Sequence, residues 1–168
     1  MGLLGSETFN SLDDLFLHEL EDIYDAENRL VKALPKMRDA ATEPRLREAF
    51  DEHLRETEHQ IERLDIVFKT LDKKPERDTC EAMKGLISEG QDMIDAKGDD
   101  HAKDAALIAA AQRVEHYEMA AYGTAHNLAL RLGNQEAANQ LKATLDEEKS
   151  ADAKLNEIAE SYVNTAAA

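Results

Sequence analysis

The sequence predicts an all-α domain, and three observations carry that prediction. The chain of 168 residues is rich in Ala, Leu, Glu, Lys, Asp and Gln, most of which favour helix. Only 7 glycines and 3 prolines interrupt it. No stretch alternates apolar and polar residues with the period of two that a half-buried strand requires. The length suits one domain with a sizeable core.

Four long segments carry apolar residues at steps of three and four, which predicts four amphipathic helices of roughly 25 residues each. The first begins after Ser11, a favourable N-cap, and Pro35 is expected to kink or end it. The third ends at the turn formed by Gly133 and Asn134. The four apolar stripes are Leu12, Phe16, Leu20, Ile23, Glu27, Leu30, Leu34; Leu46, Phe50, His53, Thr57, Ile61, Leu64, Phe68, Leu71; Leu107, Ala111, Val114, Glu118, Ala121, Ala125, Leu128, Leu132; and Leu141, Leu145, Glu148, Asp152, Leu155, Ala159, Tyr162.

The connections between these helices predict the topology. Only a few residues join the first helix to the second and the third to the fourth, so each pair should form an antiparallel hairpin. About 30 residues (72–101) separate the two hairpins, and they contain a short amphipathic segment. Two antiparallel hairpins joined by a long crossover with a short fifth helix form a ferritin-like four-helix bundle. We expect a disordered extension at 1–10, the bundle at 11–163 and a frayed tail at 164–168.

The charge balance narrows the classes of partner. Acidic residues outnumber basic ones 36 to 20, and the formal net charge is −16. Such a surface repels the phosphates of nucleic acids and anionic lipids, so we expect neither nucleic acid nor membrane as a partner. There is no apolar run of the ~18 residues that a membrane span needs, and residues 1–10 lack the pattern of a signal peptide. A single cysteine, Cys80, excludes an internal disulfide. These features predict a cytoplasmic protein.

Ionisable side chains interrupt every apolar stripe near its middle. They are Glu27 in the first helix, His53 in the second, Glu118 in the third, and Glu148 with Asp152 in the fourth. A buried carboxylate costs several kcal/mol unless it is paired, protonated or bound to a metal. Because carboxylates that converge inside a bundle repel one another, a divalent cation is the simplest compensation.

The number of ligands on each helix supports a site for two divalent metal ions. Di-iron and di-manganese bundles take one Glu from each of two helices and a Glu-x-x-His pair from each of the other two. Here the second helix adds Glu56 beside its histidine, and Glu115 flanks the third stripe. The fourth helix has Asp where a His is expected. The predicted metal ligands are Glu27, His53, Glu56, Glu115, Glu118, Glu148 and Asp152.

Several other residues allow two interpretations. Tyr24 and Tyr122 flank the stripes, where they either pack or donate hydrogen bonds to the ligand carboxylates. His59 completes a literal Glu-x-x-His motif, but its position on the helix faces solvent. His116 and His126 are expected at the surface or at an oligomer contact. There is no Gly-rich phosphate loop, nucleophile elbow or Cys-x-x-Cys motif.

Five stretches of this sequence resemble the YciE/YciF family of bacterial ferritin-like stress-response proteins, and the resemblance covers roughly residues 11–163. They are DIYDAE at 22–27, HLRET at 53–57, DAALIAAAQ at 104–112, RVEHYE at 113–118 and LDEEKSAD at 145–152. The resemblance implies a bundle similar in architecture to rubrerythrin, a homodimer and a di-iron centre. It does not imply an established substrate.

Three functions remain open at this point. The first is a di-metal protein that holds iron and oxidises Fe(II) with dioxygen or peroxide as acceptor. The second is a non-enzymatic dimeric stress or interaction protein on the same bundle. The third is a manganese-dependent enzyme that dismutates peroxide. The fourth helix has a carboxylate in place of the usual histidine. Because carboxylate oxygen is a harder ligand than imidazole nitrogen, this donor set favours manganese more than the usual Glu-x-x-His site does.

Overall fold

The computed structural model describes residues 8–167 and is helical over most of that range. It confirms the all-α class, because no β-strand occurs among these residues. The helices are α1 (Leu12–Ala40), α2 (Pro44–Thr70), α3 (Glu81–Asp95), α4 (Asp100–Arg131), α5 (Gln135–Ile158) and α6 (Asn164–Ala166), with a π-helical turn at Ala159–Val163 between the last two.

The ends of the helices follow local rules. Ser11 caps α1, since its Oγ accepts a hydrogen bond of 3.1 Å from the backbone N–H of Asp14. Gly133 adopts a φ of 75° in the turn after α4, which a residue with a side chain rarely does. Asn134 then caps α5 by accepting from the N–H of Ala137. These findings confirm the predicted N-cap and the predicted turn.

Helix α1 does not end at Pro35. It continues to Ala40, so of the two expected effects of the proline, a kink or the end of the helix, the second is wrong. A proline inside a helix removes one backbone hydrogen bond and crowds the preceding turn. Packing of the last turn offsets that cost, because Met37 and Ala41 are both buried against the core. The apolar contacts beyond the proline therefore decide where the helix ends.

The four long helices form the predicted bundle. Helix α1 packs against α2, and α4 packs against α5. The two hairpins meet where α2 contacts α5 and α1 contacts α4. The crossover helix α3 lies against α1 and α4 on the outside of the bundle. This arrangement is the ferritin-like architecture that the connection lengths predict.

The apolar core is divided into two separate clusters. One contains Leu30, Phe50 and Leu107 together with their neighbours, and the other contains Phe16 and Tyr122 with theirs. Buried polar side chains occupy the middle of the bundle between these clusters. The division of the core therefore creates the place for a functional site.

Three predicted members of the apolar stripes do not lie in the core. Leu12 is 45% exposed at the start of α1, and Tyr162 is 37% exposed near the end of the chain, where Val163 is buried instead. In α2 the fully buried side chain is Gln60, while the neighbouring Ile61 is only partly buried. Spacing alone locates a helical face to within about one residue, since each residue turns the direction by about 100°. Contact with α5 determines which of these two neighbours points inward.

A buried aspartate fastens the crossover segment to the bundle. Asp25 in α1 accepts hydrogen bonds from Arg29, Arg77 and the backbone N–H of Cys80. These bonds hold the crossover segment immediately before α3. They also hold the pKa of Asp25 below its ordinary value, although burial acts in the opposite direction.

Cys80 is fully buried and belongs to the apolar core. Its Sγ accepts from the backbone N–H of Met83 and lies 3.1 Å from the Tyr117 hydroxyl. The predicted extension at 1–10 lies mostly outside the described residues, which begin at 8. The chain around 164–166 forms a short helix, and Ala168 lies outside the description. None of the helices within residues 8–167 is long and apolar enough to cross a membrane.

Candidate metal centre

Four buried side chains from three helices meet in the polar middle of the bundle. Helix α2 supplies His53, α4 supplies Glu115 and Glu118, and α5 supplies Glu148. One ligand atom from each lies within 4.8 Å of all the others. The Nε2 of His53 is 3.4 Å from Glu115 Oε1 and 3.8 Å from Glu148 Oε2. We call this group the His/Glu cluster.

Several buried polar atoms of this region lack hydrogen-bond partners. Buried polar atoms in proteins are nearly always hydrogen-bonded, so several unpaired ones in one place require an explanation. A metal ion supplies it, because imidazole nitrogen and carboxylate oxygen are ordinary ligands of divalent cations. The residues present therefore fit a metal ion. The unpaired atoms in and beside the cluster are Glu27 Oε2, His53 Nε2, Gln60 Oε1, Glu115 Oε2, Glu118 Oε1, Glu118 Oε2 and Glu148 Oε2.

Burial and mutual repulsion perturb the pKa values of these groups. Burial, followed by the negative charge of Glu148, raises the pKa of Glu27 to about 8. Burial also raises the pKa values of Glu115 and Glu118 well above the ordinary value for glutamate. Burial disfavours the charged form of His53, but the nearby carboxylates outweigh it and raise the pKa of the imidazole to about 10. Without a cation the cluster therefore holds protons at neutral pH.

Glu27 approaches the same region from α1. It is completely buried, and its Oε1 accepts a hydrogen bond from the hydroxyl of Tyr122. Of the two interpretations of Tyr122, the structure shows the hydrogen-bond donor: the hydroxyl donates to a buried carboxylate and fixes the orientation of the Glu27 side chain. Tyr24 instead packs edge-on against Phe68 with ring centroids 5.7 Å apart.

Gln60, which is not among the predicted site residues, contacts the cluster directly. Its Nε2 donates to Glu148 Oε1 at 2.5 Å and to Glu147 Oε2 at 3.1 Å. Arg63 adds two hydrogen bonds to Glu147, of 2.5 and 2.6 Å. Such partners orient ligand carboxylates. One signal was available, since Gln60 follows His53 by seven residues and so shares its helical face.

The remaining predicted ligands lie at or beyond the edge of the cluster. Glu56 is partly exposed, and its Oε2 is 3.5 Å from His53 Nδ1. Asp152 lies outside the four-residue cluster, where it accepts from Gln112 at 3.2 Å and lies 3.4 Å from His116. The structure thus groups the His/Glu cluster with Glu27 and places Glu56 beside it.

The surface histidines follow their predicted positions in part. His59 is exposed and lies beside Glu62 rather than in the bundle, as its helical direction indicates. The side chain of His116 is 67% exposed. His126 is partly buried, and its Nδ1 lies 2.9 Å from the carbonyl oxygen of Ala138. It therefore connects α4 with α5.

Comparison with known proteins places this bundle in a family. A family model described as a domain of unknown function, DUF892, matches residues 11–168. The chain belongs to the DUF892 family. It is 47% identical over 155 residues to the protein YciF of Escherichia coli strain K12, across 92% of this chain and 93% of YciF. This similarity confirms the resemblance to the YciE/YciF family.

Solved structures support the same assignment. The crystal structure of the E. coli stress protein YciF matches with a TM-score of 0.90 and 46% identity, covering 93% of this chain and 99% of that one. YcfI from Rhodopseudomonas palustris matches with a TM-score of 0.87 and 46% identity, covering 91% and 98%. A protein from Xanthomonas campestris pv. campestris shares only the fold, with 20% identity, a TM-score of 0.72 and coverage of 91% and 94%.

An apolar pocket reaches the cluster of this DUF892 protein from one side. It lies between α1, α3 and α4, has a volume of about 50 Å³ and includes Glu115 in its wall. Its lining is mostly apolar, with Lys36, Gln91 and Glu115 as the polar members, and apolar cavities accept small apolar molecules. The pocket therefore suits a ligand of that kind next to a cluster carboxylate. The apolar side chains around it include Leu30, Leu34, Leu86, Ile87, Ala111 and Val114.

Proposed function

We propose that this stress-protein homologue binds two divalent metal ions at a site formed by the His/Glu cluster together with Glu27 and Glu56. Iron is the proposed metal. The observation that carries the proposal is the set of buried carboxylate and imidazole atoms that lack hydrogen-bond partners. A donor set of five carboxylates and one imidazole provides enough ligands for two ions. The four helices hold these donors in place before any ion arrives.

The proposed reaction is oxidation of Fe(II) with dioxygen or hydrogen peroxide as acceptor. Two Fe(II) ions give one electron each, which with two protons convert dioxygen to hydrogen peroxide, or hydrogen peroxide to two waters. The carboxylates of the cluster stabilise the higher charge of the oxidised ions. Tyr122 and Gln60 hold Glu27 and Glu148 in position. The apolar pocket beside Glu115 suits dioxygen in size and polarity.

Metal content and Fe(II) uptake test this proposal. Untagged protein purified without chelators is analysed by plasma mass spectrometry and then titrated with Fe(II) under anaerobic conditions. We expect saturation close to two ions per chain and rapid formation of Fe(III) after air or peroxide is added. A protein that shows no saturable uptake contradicts the metal site and leaves the non-enzymatic interaction protein as its function.

The predominance of carboxylate ligands, which are harder than imidazole, favours a second candidate function. This function is the dismutation of hydrogen peroxide by manganese. Carboxylate oxygens suit Mn²⁺ well, and here they outnumber imidazole five to one. In that reaction two peroxide molecules yield one dioxygen and two waters. Release of dioxygen from peroxide by the Mn-loaded protein, measured with an oxygen electrode, distinguishes this activity from Fe(II) oxidation.

Metal binding is expected to release protons and to strengthen as the pH rises through about 8. The raised pKa values of Glu27, Glu115 and Glu118 mean that these carboxyls are protonated in the apoprotein near neutral pH, whereas metal ligands must be deprotonated. Titration calorimetry in two buffers of different ionisation enthalpy measures the proton count. Heats that are independent of the buffer at pH 7 contradict this prediction.

The same pKa values predict how the stability of the apoprotein depends on pH. The pKa of Glu27 is about 8 in the folded protein, compared with an ordinary value of 4.5 that applies to the unfolded chain. The folded state therefore binds more protons than the unfolded state between these two pH values. The free energy of unfolding therefore falls as the pH rises from about 4.5 to 8. His53 acts in the same direction between 6.5 and about 10. Urea denaturation of apoprotein and metal-loaded protein at pH 6 and 8 measures the effect.

A further inference from the structure

A second pocket also reaches the His/Glu cluster, and unlike the apolar pocket it is lined by several charged side chains. It lies between α2 and α5 and has a volume of about 80 Å³. That volume exceeds what one water molecule needs. We call this pocket the polar mouth. Its polar lining residues are Glu52, His53, Glu56, Glu115, Ser150 and Lys154.

The polar mouth presents carboxylates at increasing depth. The side chain of Glu52 is 46% exposed at the rim, that of Glu56 is 34% exposed further in, and that of Glu115 is 3% exposed at the base. His53 connects the last two, since its Nδ1 is 3.5 Å from Glu56 and its Nε2 is 3.4 Å from Glu115. A cation moving inward therefore meets an oxygen donor at each level.

The inner end of the polar mouth also carries unsatisfied ligand atoms. His53 Nε2 and Glu115 Oε2 are buried and have no hydrogen-bond partner. Both residues line the pocket itself. The mouth thus connects the exposed rim with atoms that are suited to hold a metal ion, which distinguishes it from an ordinary acidic surface.

One positive charge lies across this path. Lys154 of α5 donates from its Nζ to Glu52 of α2, and both side chains are partly exposed. The ammonium group repels an approaching cation and occupies the outermost carboxylate. Because exposed ion pairs contribute little to stability, this pair opens readily.

We propose that the polar mouth is the route by which divalent cations reach the His/Glu cluster, and that the Glu52–Lys154 ion pair controls the rate of their passage. This inference rests on the metal site of the proposed function. It makes Lys154 and Glu52 determinants of the loading rate, whereas the ligands of the cluster determine how many ions are bound.

Stopped-flow binding of Co(II), followed by its visible absorption, tests the route. Lys154→Met removes the repelling charge and frees Glu52, so we expect loading about 10-fold faster than in the unmodified protein. Glu52→Gln removes the outer carboxylate and leaves the lysine unpaired, so loading should be slower. The number of ions bound at equilibrium should remain unchanged in both variants.

Two control variants separate the effect of the positive charge at Lys154 from the effect of the net charge of the protein. Lys142→Met removes an exposed lysine from the same helix, where Lys142 pairs with Asp146. Lys154→Arg keeps the positive charge at the rim. Both should load close to the rate of the unmodified protein. A Lys142→Met effect equal to that of Lys154→Met would show a general effect of net charge and overturn the route.

The outcomes separate this inference from the function on which it rests. If the unmodified protein binds Co(II) and both Lys154→Met and Glu52→Gln load at its rate, the route is wrong and the metal site stands. If the unmodified protein takes up neither Co(II) nor Fe(II), the metal site is wrong and the route falls with it. Faster loading in Lys154→Met together with slower loading in Glu52→Gln supports the route.

Discussion

Replacement of Glu118 by glutamine is expected to abolish saturable metal binding and to stabilise the apoprotein at pH 8. Glu118 is buried in the His/Glu cluster, and neither of its carboxylate oxygens has a hydrogen-bond partner. Burial and the negative charges of Glu27 and Glu148 disfavour its ionised form. A neutral amide of the same shape removes that repulsion, and we expect a gain of about 1 kcal/mol in the free energy of unfolding.

Anaerobic Fe(II) titration and urea denaturation of the apoprotein measure these two effects. Glu58→Gln is the matched control, since Glu58 is exposed on α2 and its replacement should change neither quantity. Opposite signs for metal affinity and apoprotein stability are the signature of a ligand carboxylate. A Glu118→Gln variant that binds metal normally, or that loses stability by several kcal/mol, would show a structural role instead.

Asp104→Ala is expected to lower the free energy of unfolding by about 3–5 kcal/mol. Asp104 is fully buried in α4. Its carboxylate accepts hydrogen bonds from the N–H and hydroxyl of Thr42 and from the N–H of Glu43, at 2.7 to 2.9 Å. These groups form the loop between α1 and α2. Without the carboxylate, buried donors lose their partners and the first hairpin loses a fixed contact with the second.

Chemical denaturation with matched variants checks the role of Asp104. Asp92→Ala removes an exposed carboxylate from α3 and should change the stability by less than about 0.5 kcal/mol. Asp104→Asn keeps an acceptor oxygen, so its loss should be smaller than that of the alanine variant. If Asp104→Ala and Asp92→Ala unfold at the same urea concentration, the loop does not depend on this carboxylate.

The helices and their ends were predictable because they depend on neighbours in the chain. The spacing of apolar residues gave the four long helices, and Ser11 and Gly133 marked two of their ends through local backbone preferences. The exception is Pro35. Its effect depended on contacts made by Met37 and Ala41 with distant parts of the chain, and no local rule contains those contacts.

The kinds of residue in the candidate site were predictable from the sequence, but the exact set of residues that meet there was less so. Glu27, His53, Glu118 and Glu148 interrupt apolar stripes, and a buried charge on such a stripe is conspicuous in any helix. Gln60 was missed because an amide beside an isoleucine gives no comparable signal. Asp152 continues the spacing of the fourth stripe, but it is partly exposed and accepts hydrogen bonds from Gln112 and Asn156.

The sequence by itself therefore determined the class of the fold, the pairing of the helices into two hairpins, and the presence of acidic side chains on the buried helix faces. Only the tertiary structure decided which of those acids meet. The physical reason is that periodicity specifies a direction around each helix axis, whereas contact between helices also requires the relative height of each residue. That height results from how the two hairpins and the crossover pack together.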